Sequence, residues 1–280
     1  MNLKKFFAIG LSFACCFGIS SISNCKASVE SSVNSEISKN GIIELKLEGT
    51  KNTRDIGGYE TSEGKKLKRN LFIRSDNTHK LTDEDIKKLK EEHNLKCVID
   101  LRCSGEVKLA PDKLRNVEGI KYYNIPISFS KGQIKSLLKG NTDLSNPLVG
   151  FLNQKDAIKK IFDTISDAIT TTDSKNTHNA ENGSILFHCT GGMHRTGITA
   201  ALLLELNGVS KENIINDYST VCGKKKNSKN IINLIFEPKA EHMKKMLEYI
   251  ESEFGNVEKY LLNCGVSQEN LNKIKNEFQK

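Results

Sequence analysis

The chain contains no tryptophan, only four prolines and no C-x-x-C pair, and aromatic residues make up just 6% of it. Without paired cysteines it carries neither a zinc-binding pattern nor the framework of a small disulfide-stapled domain. No basic stripe is interleaved with aromatics, so a formal charge of +8 does not amount to a nucleic-acid signature. No internal repeat and no linker divides the folded part of the 280 residues, a length that suits one large domain or two small ones. What is present, 37% apolar and 27% charged residues, is the balance of a globular protein.

The one long apolar run, residues 6–22, is about 17 residues, short of the roughly 20 that span a bilayer. Lys4 and Lys5 precede it, and Cys25-Lys26-Ala27 follows with small residues at the positions a signal peptidase reads. Residues 1–27 therefore read as a signal peptide cleaved after Ala27, which predicts a secreted or extracytoplasmic protein with no stable membrane span in the mature chain. A lipoprotein anchor at Cys25 or Cys15 is the second reading, but the residues before each cysteine fit a lipobox poorly. Loss of Lys4, Lys5 and Lys26, with no acid among residues 1–27, takes the formal charge from +8 to +5, mildly favourable to anionic ligands. It also removes Cys15, Cys16 and Cys25, leaving Cys97, Cys103, Cys189, Cys222 and Cys264 scattered and odd in number.

Residues 28–40 are polar and rich in Ser and Asn, a disordered leader to a folded domain over 41–280. Alternation at 41–47 predicts a half-buried strand. In Asn52-Thr53-Arg54-Asp55-Ile56-Gly57-Gly58-Tyr59 the paired glycines mark a tight turn, with Arg54 and Asp55 as structural support, paired with each other or with distant groups. Residues 71–74 form a short strand ending at Ser75-Asp76. Thr82 to Asp85 is a capping box opening a helix over about 82–93. Residues 96–101 are a nearly continuous apolar run, the mark of a strand covered on both faces, and Asp100 and Arg102 at its end suit a buried pair. A further strand over 121–127 stops near Pro126. Residues 131–150 carry weak signals and suggest an inserted, partly helical lid; 153–169 are periodic as a helix; 170–183 are a polar loop. Beyond it come helices over 196–206, from 210, over 240–254, 257–262 and 267–278, with a basic loop at 224–229. Strands alternating with helices argue for an α/β fold with a central sheet flanked by helices and a helical C-terminal tail.

The sharpest feature is His188-Cys189-Thr190-Gly191-Gly192-Met193-His194-Arg195-Thr196-Gly197, following a strand and opening a helix. A cysteine just before a helix N-terminus sits among backbone N–H groups that favour its thiolate, the nucleophilic form. The N–H groups of Thr190, Gly191, Gly192, Met193, His194 and Arg195 are placed to cradle phosphate oxygens. Arg195 adds a planar fork matched to phosphate. Thr196 is placed to hydrogen-bond the cysteine sulfur, and His188 to orient the loop from below. The chemistry this supports is attack by Cys189 on a phosphate monoester, then hydrolysis of the phosphocysteine by water, with no metal and no cofactor.

These residues resemble the signature of the cysteine-dependent protein tyrosine phosphatase superfamily. NTRDIGGY, LFIRSDNTHKLTDEDIKKLKE, CVIDLR and FGNVEKYLLNCGVSQENLNKIK narrow the resemblance to the bacterial tyrosine/serine phosphatase family, over about residues 43–278. The resemblance implies a phosphatase fold with a mostly parallel central sheet. It also implies a phosphorylated protein as partner and substrate, chiefly phosphotyrosine, with phosphoserine or phosphothreonine in addition. Two departures bear on this. The family commonly has Lys-Asp before the signature arginine, where this chain has Met193-His194, and the lysine is the residue associated with phosphoinositide use. Histidine at this place also occurs in phosphatases that resemble inositol-pyrophosphate hydrolases. The missing lysine counts against phosphoinositides and the histidine favours inositol phosphates; the two together are the alternative substrate class, and a phosphate-binding pseudophosphatase is the non-enzymatic alternative. Many relatives draw the leaving-group proton from an aspartate on a loop that here begins Ser128-Phe129-Ser130 and has no nearby Asp. His194 and Asp76 are both left as candidate acids.

Overall fold

Six strands form one sheet, and the reason is legible in their composition. In the computed structural model, which describes residues 42–128, 146–170, 183–220 and 237–279, β1 (Ile43–Glu44), β2 (Arg54–Asp55), β3 (Phe72–Ser75), β4 (Leu95–Asp100), β5 (Lys121–Asn124) and β6 (Ser184–His188) take the order β1-β2-β3-β6-β4-β5. β3, β6, β4 and β5 run parallel, while β1 and β2 add an antiparallel edge. The central strands are apolar on both faces because helices or loops cover both. Phe72, Cys97, Ile99, Ile185 and Phe187 face the larger core, and Ile73, Val98 and Leu186 face the smaller one.

Two elements depart from the pattern read along the chain. The strand expected over 41–47 pairs only at Ile43–Glu44. Leu45 and Leu47 are buried as their alternation suggests, but the Leu47 N–H turns back to the Leu45 carbonyl. The N–H groups of Glu48 and Gly49 are then taken by the Asp85 carboxylate, at 2.8 and 2.9 Å, instead of a neighbouring strand. That carboxylate also closes the expected capping box with Thr82 at the start of α1 (Asp83–Glu91). The strand expected over 121–127 ends at Asn124.

Further along, α2 (Ser104–Leu109) follows β4, and α3 (Pro147–Leu152) precedes α4 (Lys155–Thr170). Most of the expected lid lies outside the described residues, and its described end, α3, is a core helix with Leu148, Phe151 and Leu152 buried. The signal segment, the leader and nearly all of the loops at 170–183 and 224–229 also fall outside the described residues. Directly after β6 the chain makes a tight loop and enters α5 (His194–Leu206), which is buried almost throughout. It starts two residues earlier than its apolar pattern predicts, so His194 and Arg195 lie in its first turn. α6 (Lys211–Ser219), α7 (Ala240–Phe254), α8 (Val257–Asn263) and α9 (Gln268–Phe278) complete the helical tail, and Phe278 packs edge-on against Phe72, 4.7 Å between ring centroids. Among the described residues no helix is long and apolar enough to cross a membrane.

Candidate active site

The C-terminal ends of three parallel strands converge, as ligand sites do in open α/β sheets. Ser75-Asp76 follow β3, Asp100 to Arg102 follow β4, and His188-Cys189 follow β6, with Arg74 in register with Phe187 and Asp100 with His188. The loop 189–193 hangs from this end and is closed by the start of α5. Its tightest point is Gly192, with φ of +63°. A Cβ there would lie 2.7 Å from Asn52 Nδ2 and 2.8 Å from both the Asp76 nitrogen and the Ser75 oxygen, so only glycine fits. Gly191 is less constrained, since a Cβ would meet only the flexible Met193 side chain, at 3.3 Å. Of the two glycines read as permitting the turn, the structure requires one.

Cys189 is buried at the loop mouth. Burial alone would push its thiol up. The Arg195 guanidinium, with the hydroxyl and N–H of Thr196, more than reverses this and holds the thiol below its ordinary range. The Thr196 hydroxyl also donates to the Ser75 carbonyl at 3.5 Å. His188, fully buried, sits beneath the loop with Nδ1 3.2 Å from the Cys189 carbonyl oxygen. Its Nε2 lies 2.7 Å from Asp112 Oδ2 and 3.8 Å from Asp100 Oδ1. Burial opposes a charge on the ring, but the two carboxylates outweigh it and hold the imidazolium above its usual value.

Arg195 meets a partner that the loop motif does not contain. Its Nη1 and Nη2 donate to the two oxygens of Glu106, each at 2.7 Å, and Nη1 reaches the Leu101 carbonyl at 3.3 Å. Glu106 also accepts from the Cys103 N–H at 2.9 Å, which caps α2, and from the Thr190 hydroxyl at 2.5 Å. Burial raises such a carboxyl, yet Arg195 and these donors bring it down to about 2.

The remaining sites read from the sequence are placed as follows. Arg54 and Asp55 do not pair with each other. Arg54 reaches Asp217 on α6, Nε to Oδ1 at 3.0 Å and Nη2 to its carbonyl at 2.9 Å, and donates to Asn52 Oδ1 at 2.5 Å. Asp55 accepts from the N–H groups of Gly57 and Asn70, at 2.8 and 2.9 Å, bracing the glycine turn. Asp76 accepts from the N–H groups of Lys51 and Asn52 at 3.1 to 3.3 Å, and burial raises its carboxyl against the pull of those bonds. His194 is half-buried beside Arg195.

Asp100, Asp112 and His188 are the one group among the described residues with ligand atoms close enough for a metal, within 4.8 Å of one another. Its oxygens are already engaged. Arg102 forms a bidentate pair with Asp100 at 2.7 to 3.1 Å, Tyr122 donates to Asp100 and Thr78 donates to Asp112. This is the buried Asp100–Arg102 pair expected from the sequence, extended into an ion network in which a guanidinium stands where a dication would. Among the described residues Cys97, Cys103, Cys189 and Cys264 are free thiols.

A parallel α/β sheet whose central strand ends in a buried, activated cysteine and a glycine loop defines a class of phosphoryl-handling enzymes. The tyrosine phosphatase family matches residues 45–280, and the chain belongs to that family. A tyrosine-protein phosphatase of Nostoc commune is 28% identical over 234 residues, 73% of this chain and 72% of its own. A Cupriavidus necator protein named for the same activity is 24% identical over 181 residues, 64% of this chain and 63% of its own. Among solved structures, the core catalytic domain of the PP-IP phosphatase Siw14 of S. cerevisiae aligns at 17% identity, covering 69% of this chain and 91% of that one, with a TM-score of 0.33.

Proposed function

We propose that the protein hydrolyses phosphate monoesters, protein phosphotyrosine above all, through a phosphocysteine on Cys189. The observation that carries this reading is the Cys189 thiol, held below its ordinary range inside a loop whose arginine is itself fixed by Glu106. The Cys189 thiolate attacks phosphorus, the bond to the leaving oxygen breaks, and that oxygen takes a proton from an acid. Water then attacks the phosphocysteine, releasing inorganic phosphate and returning the thiolate, to which the Thr196 hydroxyl donates. Arg195 and the N–H groups of Thr190 to Arg195 hold the equatorial oxygens as charge shifts between them. His188 orients the loop and Arg54 supports it, while Asp55 braces the glycine turn. None of these steps calls for a metal or cofactor.

His194 is the acid we favour over Asp76. It adjoins Arg195 at the loop's exit, whereas the Asp76 carboxylate is committed to the N–H groups of Lys51 and Asn52. Phosphotyrosine is favoured because the family and the Nostoc commune relative are both named for tyrosine phosphatase activity. We also read the chain as exported, on Lys4, Lys5, the apolar run at 6–22 and Cys25-Lys26-Ala27.

Purified protein in chelator-treated buffer is expected to hydrolyse an aryl phosphate and a phosphotyrosyl peptide, and Cys189→Ser to abolish both. Turnover that survives the substitution would refute the mechanism. A kcat/KM more than about tenfold higher for inositol phosphates than for the phosphopeptide would overturn the substrate assignment. Binding of vanadate without any turnover would mark a phosphate-binding module instead.

A further inference from the structure

Behind the loop lies a second charged cluster that the proposed chemistry does not touch. Asp217, on the inner face of α6, is 2% exposed and holds two arginines that are equally buried, Arg54 and Arg74. Arg74 also donates from Nη2 to the Gly192 carbonyl at 2.9 Å. Arg54 donates to Asn52 Oδ1, and Asn52 turns its Nδ2 to the carbonyls of Gly191, at 3.3 Å, and Gly192, at 3.0 Å. One carboxylate therefore reaches two consecutive loop carbonyls through three side chains. A third carbonyl, that of Thr190, is taken by the Asn77 N–H at 3.2 Å.

A trans peptide is planar, with its C=O and N–H pointing in opposite directions. Tying the carbonyls of Gly191 and Gly192 outward therefore turns the N–H groups of Gly192 and Met193 inward, toward the anion. Gly192 has no side chain to fix its own torsions, so these contacts hold an orientation the residue does not set by itself. The cluster is also unevenly charged: two guanidinium groups face one carboxylate, and the loop carbonyls absorb part of the excess. Burial and the neighbouring Arg54 lower Arg74 to about 10, which leaves it cationic at neutral pH.

We infer that Asp217, Arg54, Arg74 and Asn52 are positioning residues that pre-set the loop for a tetrahedral dianion, with Asp217 as their common anchor. The inference rests on the phosphatase reading of the loop and extends it to residues up to 140 positions away in sequence.

Two variants test it, with orthovanadate and inorganic phosphate as probes. Asn52→Asp keeps the shape and the acceptor that Arg54 uses, but sets carboxylate oxygens against the two loop carbonyls. Asp217→Asn keeps the size and removes the anchoring charge. Both are expected to weaken vanadate binding, measured by calorimetry, and to lower kcat/KM for an aryl phosphate by about a hundredfold, the scale of a displaced catalytic geometry. Much of the loss should appear in KM and in the inhibition constant of phosphate. Should Asp217→Asn fail to fold, Asn52→Asp, at a half-buried position, carries the test alone. Folded Asn52→Asp with unchanged vanadate affinity and KM would overturn the inference. Wild-type protein that neither binds vanadate nor turns over would instead refute the phosphatase reading beneath it.

Discussion

Replacing Glu106 by Gln should separate the structural and the chemical work of Arg195. In the wild type the two Glu106 oxygens take both terminal nitrogens of Arg195 at 2.7 Å, with both side chains nearly fully buried. Holding the carboxyl at about 2 instead of its ordinary 4.5 corresponds to about 3 kcal/mol favouring the ionised, folded state. Breaking one side of a buried pair usually costs about 3–5 kcal/mol, since the other charge is left uncompensated, so the two routes to the magnitude agree. The sign follows from the lowered value: the contribution is complete above about pH 4.5 and is lost as the pH falls toward about 2. Glu106→Gln should therefore melt roughly 6–12 °C below the wild type at pH 7, with the gap shrinking below pH 4.5. Thermal unfolding followed by circular dichroism across pH 3–8 measures this. With the guanidinium plane released, kcat/KM for an aryl phosphate should fall by about a hundredfold at a temperature where the variant is folded. A melting gap that is independent of pH, or full activity in a folded variant, would refute the role given to this pair.

Other substitutions read different parts of the site. Gly192→Ala must place a Cβ 2.8 Å from backbone atoms of Ser75 and Asp76 in a left-handed conformation, so it should lose nearly all turnover, while Gly191→Ala, facing only Met193, should keep most of it. The outcome is read from kcat/KM of the two proteins side by side, and equal losses would remove the distinction. Glu205, near the end of α5, is raised by burial to about 7, so its contribution is complete below about pH 4.5 and is lost as pH rises toward 7. Glu205→Gln should then be more stable than the wild type by about 2 kcal/mol at pH 8 and close to it at pH 5, as chemical denaturation at the two pH values would show. For the proton donor, His194→Ala should flatten the alkaline limb of the pH–rate profile and Asp76→Ala should leave it in place; the reverse pattern would exchange their roles.

The parts of the site that were legible in the sequence are those close together along it. Strand, loop and helix start are contiguous, so His188, Cys189 and Arg195 declare their neighbours by spacing alone. The partners are not contiguous: Glu106 is 89 positions from Arg195, and Asp217 is 163 from Arg54. Each nevertheless left a local trace. Cys103 to Glu106 has the spacing of a capping box, with Cys at the cap where Ser or Thr is usual. Asp217 shares the inner face of α6 with Ile214 and Tyr218, and an acid on an apolar helical face implies a buried cation. The NTRDIGGY segment was legible as a turn, but not as the source of the Asn52 brace, because nothing local says that Asn52 faces a loop 140 residues on. The strand expected over 41–47 failed for a related reason, since the Asp85 carboxylate that captures Glu48 and Gly49 comes from a distant helix cap.

The three ion clusters behind the loop also bear on why a fully buried thiol should ionise at all. Arg54 and Arg74 share Asp217; Arg102 and the His188 imidazolium share Asp100 and Asp112; Arg195 is held by Glu106. Of these cations it is Arg195, with the hydroxyl and N–H of Thr196, that favours ionisation of the thiol against the pull of its own burial, and Glu106, being anionic, works in the opposite direction. Glu106 holds the Arg195 guanidinium and also accepts from the Thr190 hydroxyl, so one carboxylate fixes both the arginine and a side chain of the loop. In the proposed reaction the negative charge given up by the thiolate goes to the leaving oxygen, where the acid's proton neutralises it, while the transferred phosphoryl group keeps its own charge within reach of the same arginine and N–H groups.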